Sequence, residues 1–211
     1  MLIVSLSGGS GSGKTTLANH IASKFPADIF NILPIDAYYK DHSYLTQKEK
    51  SEQNFDHPDA IDFELLNDHI QKLKMGITIK RPTYSFVTCS REIRVLKIEP
   101  TEILIVEGLL ALTNERLRMQ TDVKIYIDVT EANRFARIVE RDIVERGRNK
   151  EEAMERFYKT VQPMHEEFVE PYKYGADAVI DGNSNNITSI ATTIIQTIGN
   201  YLYHSNCQSV N

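Results

Sequence analysis

Residues 8–15 read GGSGSGKT, and their types and spacing suit the binding of phosphate groups. In the pattern G-x-x-x-x-G-K-[ST], glycines let backbone N–H groups turn toward phosphate oxygens, the lysine reaches the β and γ phosphates, and the hydroxyl residue can ligate Mg²⁺. A flexible Gly/Ser turn is the alternative, but an apolar run before the motif and a helical pattern after it favour a nucleotide site. The predicted nucleotide contacts are Gly8, Gly9, Ser10, Gly11, Ser12, Gly13, Lys14, Thr15 and Thr16.

Two carboxylates follow apolar runs that read as strands. Asp36 comes directly after residues 29–35, and Glu107 closes the stretch EILIVE at residues 102–107. Because ligands bind at the carboxyl ends of strands in an open α/β sheet, both acids are expected at the same edge. There, one acid can hold Mg²⁺ while the other accepts the proton of an attacking hydroxyl. The alternative is that both acids only cap helices at strand-to-helix turns.

Arginines recur after residue 133 at a spacing compatible with one helical face, at Arg134, Arg137, Arg141 and Arg148. A solvated face, with Glu145 paired to Arg141, explains most of this pattern. A kinase lid is the second interpretation, because phosphoryl transfer needs cations that neutralise the transferred group and exclude water.

Residues 54–66 read NFDHPDAIDFELL and place several acids at the start of a helix. Asp59 is a plausible N-cap of that helix. Asp56 lies beside Phe55 and is better placed to accept hydrogen bonds from two hydroxyls, such as the vicinal diol of a sugar.

Composition and the remaining motifs exclude several classes of protein. The net charge of -5 gives no broad basic surface for nucleic acid. Cys89 and Cys207 lack metal-ligand spacing and indicate a reducing compartment. No apolar run approaches the length of a membrane span or a signal peptide, so a cytoplasmic protein without a membrane partner is expected. The guanine-reading pattern N/T-K-x-D is absent, which disfavours a GTPase.

The elements that must position these residues alternate along the chain. Apolar runs at residues 2–6, 29–35, 103–106, 123–129 and 176–180 predict buried strands, and helical patterns cover residues 15–25, 60–75, 131–145, 151–167 and 186–203. The alternation predicts a single α/β domain over residues 1–211, with a parallel sheet flanked by helices. Residues 77–98 are expected to form a small β excursion, residues 134–158 a helical arginine-rich lid, and residues 203–211 a disordered tail.

Taken together, these stretches resemble the uridine kinase (uridine-cytidine kinase) family of P-loop nucleoside kinases. The matching segments are GGSGSGKT, DAYYK, NFDHPDAID, TYSFV, VEGLLAL, RDIVERGR and YKTVQPMHEEFVEP, in the order and spacing of that family. The resemblance implies transfer of the γ-phosphate of ATP, with Mg²⁺, to the 5′-hydroxyl of a pyrimidine ribonucleoside. It also implies a P-loop NTPase fold and assembly as a homotetramer.

The resemblance implies a role for each matching residue. Asp36 would be the catalytic base, Lys14 and Arg141 would assist catalysis, and Thr15, Asp36 and Glu107 would form the Mg²⁺ site. Arg141 and Arg146 would contact the ATP phosphates, and Asp56 would bind the ribose diol. The other residues of the nucleoside pocket would be Tyr39, Phe55, Tyr84, Phe86, Cys89, Arg148 and Arg156. Ordinary core packing is the alternative role for the tyrosines.

Three positions depart from the family pattern in the acceptor pocket. Cys89 stands where the family usually has a histidine, Ile138 where it usually has an arginine, and Arg156 where a glutamine is common. A thiol is a weak hydrogen-bonding group, so a contact to the base is lost or replaced. Arg156 could supply the cation that is missing at Ile138. A kinase with another acceptor, or a nucleotide-binding regulator without turnover, therefore stays open beside the leading interpretation.

Overall fold

The computed structural model describes residues 1–46, 49–50, 53–184 and 186–208, with the backbone alone from residue 204 onward. Its centre is a five-stranded sheet in which every pair of neighbouring strands is parallel, in the order β2-β5-β1-β6-β7. The strands are β1 (Leu2–Gly8), β2 (Phe30–Pro34), β5 (Ile103–Glu107), β6 (Val123–Asp128) and β7 (Ala178–Asp181). All seven residues of β1 are buried, as expected for a strand covered on both faces. The predicted α/β architecture is thus confirmed.

Seven α-helices lie among the described residues, and most of them flank the sheet. They are α1 (Lys14–Ala22), α2 (Phe63–Lys74), α3 (Glu115–Gln120), α4 (Glu131–Arg146), α5 (Lys150–Arg156), α6 (Gln162–Phe168) and α7 (Ile187–Gln208). None of them is long and apolar enough to cross a membrane.

Two apolar layers hold the helices on the sheet. On one face Leu66 and Ile70 of α2 pack with Val106 of β5, and on the other Leu17 of α1 and Ile194 of α7 pack with strand residues that include Val4 and Ile125. Burying such side chains stabilises the fold by about 1.5–3 kcal/mol each. The rigid sheet edge between these layers is the platform for the functional residues.

A β-hairpin and a helical segment stand apart from the sheet. Strands β3 (Ile79–Ser85) and β4 (Ser90–Ile98) form an antiparallel pair, which agrees with the expected excursion. The lid consists of α4, a turn at Gly147, and α5, which begins with a capping box between Asn149 and Glu152. A separate apolar cluster of Ile138, Phe157 and Val161 holds α4 against the chain that follows α5.

Several predicted boundaries and contacts need correction. The helix expected over residues 151–167 is divided by a π-helical turn at Phe157–Val161. The side chain that caps α2 is Asp62, which accepts a hydrogen bond from the Leu65 N–H at 3.0 Å, whereas Asp59 lies in a preceding 3₁₀ turn. Residues 203–208 of the expected disordered tail are helical, and residues 209–211 lie outside the described part of the chain.

Candidate active site

The phosphate loop lies where the sequence pattern requires it, between β1 and α1. Gly13 adopts φ 85°, a left-handed conformation that favours glycine, and the helix begins with the next residue. Lys14 Nζ donates hydrogen bonds to the carbonyls of Gly8 and Gly9, at 2.8 and 2.9 Å. Burial lowers the pKa of Lys14 to about 8, although the carboxylates of Glu107 and Asp36 oppose that shift. The ammonium group is therefore held inside the loop that would surround a polyphosphate.

Asp36 and Glu107 reach the same sheet edge because their strands are neighbours. Pro34 of β2 pairs with Glu107 of β5, and Asp36 lies in the 3₁₀ turn that directly follows β2. Burial raises the pKa of Glu107 to about 7, and the nearby charge of Asp36 adds to the shift. Burial also raises the pKa of Asp36, against the opposing effect of Lys14. A buried acid, Glu107, and a partly buried one, Asp36, interact beside the phosphate loop, and such a pair suits proton transfer and cation binding.

The same acids offer a suitable donor set for a divalent cation. Thr15 Oγ1 donates to both oxygens of Glu107, each at 3.2 Å, and Glu107 is only 3% exposed. Hydroxyl and carboxylate oxygens are the ligands that Mg²⁺ prefers. Thr15, Asp36 and Glu107 could thus hold Mg²⁺ together with the oxygens of a bound phosphate.

An aromatic wall forms one side of the cleft beyond the acids. The ring centroids of Tyr39 and Tyr84 are 5.1 Å apart, and those of Tyr39 and Phe55 are 5.5 Å apart. Phe86 packs on Tyr84 at 5.6 Å. Cys89 ends the turn between β3 and β4 at φ 49°, with Sγ 3.5 Å from the Phe86 carbonyl. Flat, mostly apolar surfaces of this kind suit a planar ring.

The lid places four arginines around one buried carboxylate, Asp142, which is completely shielded from solvent. The nitrogen–oxygen distances to Asp142 are 3.2 Å from Arg141, 3.2 Å from Arg146, 2.6 Å from Arg148 and 3.5 Å from Arg156. Burial opposes the ionisation of Asp142, but the surrounding arginines outweigh it and hold the pKa of Asp142 below its usual value. One anion among four cations leaves an excess of positive charge, which a polyphosphate would offset.

This arrangement corrects the expectation of a single arginine face. Arg148 lies beyond the end of α4, and Gly147 turns the chain so that the Arg148 N–H bonds the Asp142 carbonyl at 3.1 Å. Arg134 is buried, and a Cβ at Gly9 would lie 2.6 Å from its Cδ. Among the described residues Arg141 pairs with Asp142, not with Glu145. The solvated-face interpretation is therefore wrong for this helix.

These parts line one continuous cleft of about 710 Å³. The predicted residues that line it are Ser10, Gly11, Gly13, Lys14, Thr15, Thr16, Asp36, Tyr39, Phe55, Asp56, Tyr84, Phe86, Cys89, Glu107, Arg141, Arg146, Arg148 and Arg156. The predicted contacts Gly8, Gly9 and Ser12 do not line it, but they accept hydrogen bonds from Lys14, which does. A smaller hollow of about 390 Å³, bordered by Met119 and Tyr172, contains none of the predicted site residues.

Some residues of the site were not predicted from the sequence. Arg137 lines the cleft and donates a hydrogen bond to the Gly11 carbonyl at 3.3 Å. The sequence had singled it out only as one of the regularly spaced arginines, without a predicted ligand contact. Asp142 was missed because an acid between arginines reads as a surface ion pair. Its position one turn before Gly147 was the available signal, since a turn there returns Arg148 to the same carboxylate.

Comparison with known proteins agrees with this geometry. The model of the phosphoribulokinase / uridine kinase family matches residues 3–189. The chain belongs to this family. A uridine kinase of Staphylococcus haemolyticus is 42% identical over 198 residues, covering 93% of this chain and 96% of that protein. A uridine kinase of Clostridium novyi is 40% identical over 187 residues, covering 88% of this chain and 90% of that protein.

The fold of the family also appears in a solved structure of low sequence identity. A D-glycerate 3-kinase from Cryptococcus neoformans superposes with a TM-score of 0.59 at 17% identity, covering 86% of each chain. At that identity the likeness concerns the fold alone.

Proposed function

We propose that this protein transfers the γ-phosphate of ATP to the 5′-hydroxyl of a pyrimidine ribonucleoside, uridine or cytidine, and forms the monophosphate. The observation that best supports this function is a single cleft that runs from the phosphate loop past Asp36 to Asp56 and the aromatic wall. Such a cleft accommodates a nucleotide and a second substrate end to end. The uridine kinase relatives support the choice of acceptor.

Each residue has a distinct part in the proposed reaction. Backbone N–H groups of the loop and Lys14 bind the β and γ phosphates, and Arg141 and Arg146 neutralise the negative charge of the transferred group. Asp36 accepts the proton of the 5′-hydroxyl, and its burial suits that role because it raises the basicity of the carboxylate. Mg²⁺, held by Thr15 and Glu107 near Asp36, would supply charge neutralisation at the phosphate oxygens.

The acceptor is positioned by the far end of the cleft. Asp56 accepts hydrogen bonds from the ribose diol, and the rings of Tyr39, Tyr84 and Phe86 pack on the nucleoside. The arginines of the lid then cover the phosphates and exclude water, so that transfer to the hydroxyl is favoured over hydrolysis.

The proposal includes a homotetrameric assembly and a cytoplasmic location, which follow from the family resemblance and the cysteine content. Light scattering on the purified protein tests the assembly: a tetramer has about four times the mass of the 24.1 kDa chain.

The acceptor is tested by offering uridine, cytidine, purine nucleosides, pantothenate and ribulose 5-phosphate separately, with ATP and Mg²⁺. ADP release and the mass of each product are measured. We expect UMP or CMP in a one-to-one ratio with ADP. Turnover with only a non-nucleoside acceptor would contradict the proposal, as would ATP binding without any product.

A further inference from the structure

Arg134 of α4 is buried directly behind the phosphate loop. Only 2% of its surface is exposed, and it does not line the cleft. A Cβ at Gly9 would lie 2.6 Å from Arg134 Cδ and 3.0 Å from both Nε and Nη1. A Cβ at Gly11, which lines the cleft, would lie 2.8 Å from the Arg134 carbonyl oxygen. The loop therefore separates the start of α4 from the cleft.

The guanidinium group of Arg134 has no anionic partner. Its Nη2 donates a hydrogen bond to Gln162 Oε1 at 2.5 Å, and Cζ lies 5.9 Å from the centre of the Phe157 ring. Its Nε and Nη1 are buried and donate to no atom of the described residues. None of the ion pairs in the described part of the chain includes Arg134. The charge thus contacts a neutral amide and an aromatic ring.

A cation in this position is costly to bury. Transfer of a charge from water to a protein interior is unfavourable unless a counter-charge is close, and buried donors without acceptors add to the cost. Burial lowers the pKa of Arg134, because the acidic groups nearby offset the cost of desolvation only in part. An anion that binds on the other side of the loop would reduce this cost, so that binding and the buried charge favour each other.

The charge of Arg134 reaches the place where phosphates would bind. Gly11 contacts Arg134 on one side and lines the cleft on the other, so only the loop backbone lies between them. The pKa of Lys14 is lowered to about 8, mainly by burial, and the positive charges of Arg141 and Arg134 add to that shift. Coulomb interactions at such sites are screened less than those at the surface.

We infer that Arg134 is a positioning residue that supports the phosphate loop from behind and attracts the polyphosphate through it, without contacting the nucleotide. The inference rests on the proposed function for its ligand, ATP. It has two consequences. The charge strengthens binding most for the nucleotide with the most phosphates, and it does not stabilise the protein when no nucleotide is bound. A purely structural arginine would stabilise the empty protein and affect all nucleotides equally.

The test compares the wild type with Arg134→Met, which removes the charge at similar side-chain length, and Arg134→Lys, which retains it. Calorimetry with Mg²⁺ present gives the Kd of ATP, ADP and AMP, and urea unfolding gives the stability without nucleotide. Arg118→Met is the matched control. Arg118 also packs on an aromatic ring, 4.9 Å from that of Tyr172, and donates to two backbone carbonyls, but it does not line the cleft.

For Arg134→Met we expect the Kd of ATP to rise about 10- to 30-fold, the effect of one unit charge over several Å inside a protein. The Kd of ADP should rise less, and that of AMP least, because fewer phosphate charges lie at the loop. The urea midpoint without nucleotide should equal or exceed that of the wild type, since loss of an unpaired buried charge offsets the lost contacts. Arg134→Lys should bind ATP more tightly than Arg134→Met, and the control should bind it as the wild type does.

Three results would overturn the inference while leaving the proposed function intact. The first is an unchanged Kd of ATP in Arg134→Met. The second is an equal proportional loss for ATP, ADP and AMP, or a loss in Arg134→Lys as large as in Arg134→Met. The third is a nucleotide-free Arg134→Met that fails to fold or unfolds at lower urea than the wild type, which indicates a purely structural role. If the wild type binds no ATP, the proposed function itself fails, and the inference fails with it.

Discussion

At the scale of single residues, Cys89 is notable because it lines the cleft but has only a weak hydrogen-bonding group, the thiol, with which to contact a base. It lies in the turn that carries Phe86, and among the described residues its thiol hydrogen-bonds to the Phe86 carbonyl, at 3.5 Å. Replacement by histidine adds a strong hydrogen-bonding group, and histidine is among the residues that tolerate a positive φ.

We expect Cys89→His to lower the KM for uridine by about fivefold, which corresponds to about 1 kcal/mol for one hydrogen bond. Steady-state kinetics with uridine and cytidine measure the effect, and Cys89→Ala controls for loss of the thiol. Identical constants in the histidine and alanine variants for both pyrimidines would show that position 89 does not contact the base.

At the scale of elements, the lid depends on a single carboxylate. Asp142 is buried and contacts arginines from α4, from the turn at Gly147 and from α5. Removal of its charge leaves several cations packed together without their common partner, an arrangement that is strongly destabilising in proteins.

Asp142→Asn should therefore reduce the free energy of unfolding by about 3–5 kcal/mol and raise the KM for ATP. Chemical denaturation measures the first effect. Asp68→Asn is the matched control: Asp68 forms an exposed pair with Lys72 at 2.8 Å, so its loss should cost less than about 1 kcal/mol. Equal destabilisation of the two variants would contradict a central role for Asp142 in the lid.

Helix α6 carries a titratable group that links folding to pH. His165 is buried, and burial, followed by the charges of Arg134 and Lys14, lowers its pKa from 6.5 to about 3. Between these values the unfolded chain binds a proton that the folded protein does not. The contribution of His165 to stability is therefore complete above about pH 6.5 and is lost as the pH falls toward 3.

His165→Gln should accordingly weaken the loss of stability between pH 7 and pH 4. Urea denaturation at several pH values measures the free energy of unfolding for both proteins. The wild type should lose more stability than the variant over this range. Parallel curves would show that His165 is protonated equally in the folded and unfolded chains.

The same elements show how far sequence can predict a site. Local patterns sufficed for the phosphate loop and for Asp36 and Glu107, because a parallel strand order brings strand ends to one edge. The cap of α2 was misplaced because Asp59 and Asp62 are both acceptable caps, and tertiary packing decides between them. The ion pair between Arg156 Nη2 and Asp56 Oδ2, at 2.9 Å, could not be predicted from the sequence, since it depends on how the lid folds over a residue 100 positions away in the chain.

At the scale of the whole molecule, charge is distributed unevenly. The net charge is -5, yet the lid arginines concentrate positive charge at the cleft, and Lys14 lies close to the two acids of the sheet edge, Asp36 and Glu107. These cations favour the binding of phosphates in the cleft, while the carboxylate of Asp36 is proposed to act as the base toward the acceptor. We propose that the assembled cleft performs phosphoryl transfer with Asp36 as its base.

The most direct measurement compares UMP formation from ATP and uridine by the wild type, Asp36→Asn and the exposed control Asp28→Asn. ATP binding is followed in parallel by calorimetry. We predict that Asp36→Asn loses about 10²- to 10⁴-fold in kcat, the usual contribution of a general base, while the dissociation constant of ATP changes little and the control matches the wild type. Unchanged UMP formation by Asp36→Asn would contradict the mechanism.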